Sequence, residues 1–444
     1  MEPHTKPGLL ARLLSPTVGI PLLVLVAVLC APFVYRNRQL AGLPDIGDPF
    51  DVEAFCDIPL SNHENAFVEF DRAGAMLAPQ PALDDAALDK GWSASPPELQ
   101  QWVIDNRPAL EVWRKGTEKP DALFMNPAEV DIETDFSPVS QLREFAQLAR
   151  LEASRLEGEG DVRGAWEMFR ALFRSSRLVG RHGAMIEFLI AYSLQGVAAN
   201  GINQWASDPR VDRQLLETAL TRVRADAQLR AHSSTSLAKV EYLSIRNTLE
   251  RFPTGGSYPK AKSVLPVIFW VEYERTRRIM QHYFAEEIVS LADEGSPESV
   301  PPHLSSVDLQ VFIDKSLLSS LFLVSQEWAE QYVSYERARQ AAIEMALAAQ
   351  IHYREHGAFP EKAEELLQTG LDAIADDPFS HSGRPMQYRV DAATGNAVVW
   401  SAGKDGVDDG GDVESTGEGD HEHPPTDVGY VVRVPAAAQN RPTE

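Results

Sequence analysis

The residues best equipped for chemistry are crowded near the carboxy terminus. Ser401-Ala-Gly-Lys-Asp-Gly-Val-Asp-Asp-Gly-Gly-Asp412 opens a stretch, Asp405 to Glu422, that holds eight carboxylates and no Lys or Arg. Calcium takes about six to eight oxygen ligands at flexible distances, and carboxylates together with the carbonyls of a glycine-rich turn can supply them. The spacing is not that of an EF-hand. Counted from Asp405, the third and twelfth positions are Val407 and Thr416, where an Asp or Asn and a Glu belong. Asp405, Asp408, Asp409 and Asp412 are therefore the candidate calcium ligands, and the competing reading is a solvated acidic turn that binds nothing. His421-Glu-His423 is a weaker grip for a transition metal. His352 and His356, four apart on a helix, share a face and would give two ligands; helix-end histidines facing the last carbonyls are the plainer alternative. The sequence contains no nucleophile elbow, phosphate loop, dinucleotide fingerprint or zinc-protease helix.

Helices must position most of these groups. From Asn62 to Tyr353 the apolar pattern has helical period. Leu142, Phe145, Ala146, Ala149, Ala153 and Leu156 fall on one face. Gly158-Glu-Gly-Asp161 breaks that helix, and Asp161 can cap a second one with Val162, Ala165, Phe169, Leu172 and Phe173 inside. So short a turn predicts an antiparallel hairpin. Its Gly160–Phe169 segment looks like half of a tetratricopeptide repeat, but no second copy follows at the right period, which favours one hairpin in a non-repetitive domain. Further helices are expected at about 184–206, 212–227, 235–251, 267–292, 307–324 and 326–356, with breakers at Pro253–Pro259 and Gly295–Pro302. The scattered tryptophans read as core residues. Gly357, with Pro360 after it, should stop the last helix. Met386–Val390, Ala397–Trp400 and Val428–Val434 are short β-branched or aromatic runs bounded by Gly, Asp and Pro, and predict a three-stranded antiparallel sheet.

The phrases Ile351-His-Tyr-Arg-Glu-His-Gly-Ala-Phe-Pro360, Asp377-Pro-Phe-Ser-His-Ser-Gly-Arg-Pro-Met-Gln-Tyr-Arg389 and Ser401–Asp412 occur in that order. Together they resemble the carboxy-terminal domain of type II secretion pseudopilins, over about Arg337 to Val434. The resemblance implies a helix packed on a small antiparallel sheet, closed by a calcium-holding loop. It places ligand roles on Asp405, Asp408, Asp409 or Asp412, with main-chain oxygens near Ser401 and Lys404. It does not extend to the amino terminus, where Gly19-Ile-Pro-Leu-Leu-Val24 lacks the glutamate of a prepilin. The whole chain, including Asp45-Ile-Gly-Asp-Pro-Phe-Asp51, looks like single-span membrane proteins of planctomycete-type bacteria.

Leu13 to Tyr35 carries no charged residue. At about 1.5 Å per residue it is long enough for a hydrocarbon core of roughly 30 Å, and no small-x-small cleavage site follows it. Lys6 and Arg12 on one side balance Arg36 and Arg38 on the other, so charge leaves the orientation open. The pseudopilin resemblance implies that the bulk lies outside the cytoplasm. The net charge of −24 repels nucleic acid, and two cysteines exclude a disulfide framework.

The expected fold is therefore mainly α. It comprises an N-terminal transmembrane helix (1–39), a Gly/Pro/Asp-rich linker (40–61), an irregular helical-hairpin, TPR-like domain (62–325), a small α+β domain with a three-stranded antiparallel sheet (326–435) and a loose tail (436–444). The expected function is a membrane-anchored, extracytoplasmic binding or structural protein of the cell envelope, with an envelope protein as partner and calcium in the terminal domain. An accessory of a type II secretion-like system is the alternative, and a hydrolase the third reading.

Overall fold

Among the described residues, most of the periodic apolar pattern between residues 62 and 356 folds as helix. The computed structural model describes residues 40–81, 92–230, 235–251, 266–292, 299–319, 327–380, 382–413 and 426–435, with isolated positions before residue 40. Its helices are α1 (Val52–Cys56), α2 (Ala66–Gly74), α3 (Pro97–Asp105), α4 (Arg107–Thr117), α5 (Ser137–Ser140), α6 (Leu142–Glu159), α7 (Val162–Val179), α8 (Met185–Ala206), α9 (Arg213–Ala227), α10 (Ser236–Arg251), α11 (Pro266–Ser290), α12 (Ser306–Ile313) and α13 (Glu327–His356). Strands β1 (Gln387–Val390), β2 (Ala397–Ser401) and β3 (Val428–Val432) follow. The chain divides into two compact units, one of Met1–Val52 with Ile245–Val324, the other of Glu53–Ser244 with Ser325–Glu444. The expected anchor lies almost wholly outside the described residues. The five of its positions that are described, Val24, Ala31, Val34, Tyr35 and Arg38, are helical and exposed. The expected tail, 436–444, lies outside them too.

In the larger unit, Gly160 closes α6 at φ +91°, a conformation that favours glycine. The Asp161 carboxylate then accepts the Gly164 amide at 2.8 Å and caps α7. The hairpin buries Phe145, Ala149, Ala165, Phe169, Leu172 and Phe173. Trp113 stacks on Phe145 at 5.7 Å, and Trp166 on Trp205 at 5.2 Å. The Trp205 indole N–H reaches the Val162 carbonyl at 2.8 Å, so burying the ring leaves no orphan donor. Among the described residues one helix, α8, is long and apolar enough to cross a membrane. It packs against α6, α7 and α13 and buries the polar side chains of Glu187 and Gln195.

Helix α13 belongs to the helical core and to the sheet at once. Its Ala342, Ile343, Ala346, Leu347 and Ile351 share one apolar cluster with Leu194 and Ile202 of α8 and with Val399, Tyr430 and Val432 of the sheet. The sheet has the order β1-β2-β3 and both pairings are antiparallel. Central strand β2 is buried along its whole length, which explains its unbroken apolar run. Asn203 donates to the Val431 carbonyl at 3.0 Å and Gln350 to that of Arg433 at 2.8 Å, tying the far strand to two helices.

In the smaller unit, the segment expected as the start of a linker is a strap on α11. Leu43 is fully buried. Its carbonyl accepts from Arg278 at 2.9 Å, and the Pro44 carbonyl from His282 Nε2 at 3.1 Å. His282 Nδ1 accepts the Leu304 amide at 3.0 Å, which fixes a neutral tautomer; burial lowers its pKa. Asp45 pairs with Arg277, which holds its carboxyl at about 2. The helix expected over 307–324 ends at Ile313. The Glu272 carboxylate accepts the Ser316 hydroxyl at 2.6 Å and the Leu317 and Leu318 amides, turning the chain there.

A second carboxylate arrangement sets a pH dependence in the larger unit. Glu187 accepts the Ala184 amide at 2.9 Å, and Glu241 the Met185 amide at 2.5 Å, both at the start of α8. Burial, with Glu241 adding, pushes the Glu187 carboxyl up to about 7. The folded state then holds a proton that the unfolded state has released between its ordinary pKa and about 7. Stability contributed by this group is present at low pH and is lost as pH rises through that window, by at most about 3 kcal/mol. Denaturant unfolding at pH 5 and pH 8 should show the loss, and Glu187→Gln should lessen it. An unchanged difference in the variant would remove Glu187 as its source.

Candidate functional site

Strand β2 ends at Ser401, and the acidic turn starts there. Asp377, almost fully buried, holds the junction: its carboxylate accepts the Ser401 hydroxyl at 2.5 Å, the Ala402 amide at 3.0 Å and the Phe379 amide at 3.0 Å. Gly403 follows at φ +68° and packs against the Thr426 carbonyl, just before β3. Gly406, Gly410 and Gly411 also have positive φ, so the turn relies on glycine wherever it reverses.

Asp427 organises the far side. It is 3 % exposed. Its carboxylate accepts the amides of Asp409 at 3.4 Å, Gly411 at 2.8 Å and Asp412 at 3.1 Å. Burial raises its pKa and the charge of Asp408 adds to the rise, against the pull of the three amides. Asp408 hangs from the sheet: one oxygen accepts the Trp400 indole N–H at 2.8 Å and the Gly410 amide at 3.0 Å. Arg389 crosses above, with its guanidinium carbon 5.9 Å from the Trp400 ring centre and its Nε donating to the Gly410 carbonyl at 2.9 Å. Asp405 accepts the Val407 amide at 3.0 Å.

The four sequence-derived candidates thus lie on one turn, and all four are exposed. Asp408 is drawn against the sheet, and the Asp409 and Asp412 backbones are held by Asp427. Asp405 turns back on its own loop. Among the described residues no three His, Cys, Asp or Glu side chains are grouped closely enough to hold a metal ion. Glu414, Glu418, Asp420, His421, Glu422 and His423 lie outside the described residues. The donor set is all hard oxygen, which suits calcium over softer metals. Sequence reading missed Asp377 and Asp427. The only signal available was a single Asp just outside a strand or an apolar turn.

The two helix-end histidines do lie side by side, with ring centres 4.3 Å apart and planes tilted by 46°. His352 Nδ1 lies 3.0 Å from the Ala358 carbonyl, so it is the protonated nitrogen and a metal could meet only Nε2. The pair ends α13 and packs the turn after it.

Comparison with known proteins gives no match: no family model fits any part of the chain, and no curated protein or solved structure is significantly similar to it.

Proposed function

We propose that this chain is a membrane-anchored, extracytoplasmic binding or structural protein of the cell envelope whose terminal domain is stabilised by calcium. The observation that carries the reading is the acidic turn. It is anchored at both ends by buried carboxylates, Asp377 and Asp427, yet turns Asp405, Asp408, Asp409 and Asp412 to solvent. Several carboxylates on one glycine-rich turn are the hard oxygen donors that a calcium ion takes. The buried charges of the helical core support a structural role. Arg174 meets Asp226, Arg177 meets Glu336, and Arg354 donates to the carbonyls of Ala206, Asp208 and Val211. These groups hold helices together. The order helix, β1, β2, acidic turn, β3 favours a second reading, an accessory of a type II secretion-like system.

Hydrogen exchange of the full chain tests the calcium claim locally. Amides 401–413 should exchange more slowly in roughly millimolar calcium than with chelator at constant ionic strength. Binding to the folded form alone stabilises it by about 2.7 kcal/mol at a hundred times the dissociation constant. Magnesium should protect less, because it prefers a tighter octahedral site. The double variant Asp405→Asn/Asp409→Asn should erase the difference. Equal exchange with calcium and chelator in the wild type would leave only a solvated turn.

A further inference from the structure

In a chain of net charge −24, a half-buried arginine has many carboxylates to choose from. Arg339 on α13 is half-buried and has no ion-pair partner among the described residues. Its guanidinium carbon sits 4.2 Å from the centre of the Tyr192 ring on α8. One turn further along α8, Gly196 leaves room for it: a Cβ there would lie 3.0 Å from Nη1. Tyr332 meets Tyr192 edge-on at 5.0 Å, and Tyr335 stands 6.4 Å from the same ring. Phe379, from the loop before β1, closes on Tyr335 at 4.9 Å. All four rings are partly exposed.

The guanidinium lies against the Tyr192 ring and also gives Tyr192 a side-chain hydrogen bond, which takes one of its N–H donors. The donors that remain form a planar, forked set that matches the two oxygens of a carboxylate. Stacking on an aromatic face keeps the fork oriented before any ligand arrives, so less side-chain freedom is lost on binding. The neighbouring rings give flat apolar walls, with hydroxyls at the tips of Tyr332 and Tyr335, suited to a ring with polar substituents.

We propose that Arg339 and its surrounding tyrosines form a binding site for a carboxylate carried on a ring-shaped body, an aromatic acid or a uronic-acid sugar. The site lies beside the acidic turn, where the charge of Asp405 acts on Tyr335, and does not require calcium there.

Saturation-transfer NMR on the full chain in detergent tests it, with benzoate and glucuronate as probes and benzamide and glucose as uncharged counterparts. At least one acid should bind saturably, at least about tenfold tighter than its neutral counterpart, because a site built around a charged donor rejects a ligand that leaves it unpaired. Binding of benzoate alone identifies the aromatic-acid class, and of glucuronate alone the sugar-acid class. Arg339→Gln should abolish the preference, and Arg339→Lys should weaken it, since an ammonium lacks the fork. Gly196→Ala displaces the guanidinium by its flexible end while keeping the helix, so it should weaken binding several-fold with melting unchanged. It decides the matter if the Arg339 variants fold poorly. Acids that bind no better than their neutral counterparts, or bind Gly196→Ala and Arg339→Gln as they bind wild type, would overturn the proposal.

Discussion

Replacing Gly403 by alanine should cost the terminal sheet on the order of 3 to 5 kcal/mol. Two penalties combine at this position. The backbone sits at φ +68°, where a side chain is strained. An added Cβ would also lie 2.1 Å from the Thr426 carbonyl oxygen, and a backbone atom has no rotamer in which to move aside. Relief requires the entry to β3 to shift, and Asp427 moves with it. The three amides of the acidic turn then lose their acceptor. Gly406→Ala separates the two penalties. Its φ is +67°, but the nearest atom to its Cβ would be 3.9 Å away. It should therefore cost only the strain, roughly 1 to 2 kcal/mol. Denaturant melts of both variants, with hydrogen exchange along β2 and β3, measure the gap. If the two variants lose the same stability, contact with Thr426 does not constrain the turn.

Local signals made most of this architecture legible. The α6–α7 hairpin follows from apolar spacing, one left-handed glycine and one capping aspartate, all within a few residues of each other. The strands follow from β-branched runs, and the buried β2 shows the most continuous one. What stayed hidden depends on partners far along the chain. Leu43 and Asp45 read as linker because the helix that binds them, α11, begins more than two hundred residues later; Arg277 and Asp45 are 232 apart. The stop of α12 is set by Glu272, 44 residues before Ser316, while nothing in the local pattern ends the helix. The acidic turn was visible as a run of like charge. Its organisers were not, because Asp377 and Asp427 act through burial, and burial is a property of the assembled sheet. Arg339 was equally invisible: its place over the Tyr192 ring, with no ion-pair partner among the described residues, is set by how α8 and α13 pack.

Asp226→Ala should destabilise the larger unit by about 3 to 5 kcal/mol, because it leaves a buried positive charge uncompensated. Asp226 is 4 % exposed on α9. Its carboxylate binds Arg174 directly and Arg170 at 3.2 Å, both on α7. Arg174 also donates to the Thr117 carbonyl at 2.6 Å and the Lys119 carbonyl at 3.2 Å, covering carbonyls at the end of α4 that the helix itself leaves open. One carboxylate therefore orients a guanidinium that joins three helices. Arg170 keeps Glu118 at 2.9 Å after the substitution, so the cost falls mainly on Arg174. Removing both charges tests this division. Arg174→Met/Asp226→Leu eliminates the unpaired charge and fills the space with apolar atoms, so it should recover much of the loss. It should not recover all, because the carbonyls of Thr117 and Lys119 lose their donor. A double-mutant cycle by urea unfolding gives the coupling. Should Asp226→Ala unfold within about 1 kcal/mol of wild type, Arg174 has found water or another acceptor, and the helices are held by apolar packing alone.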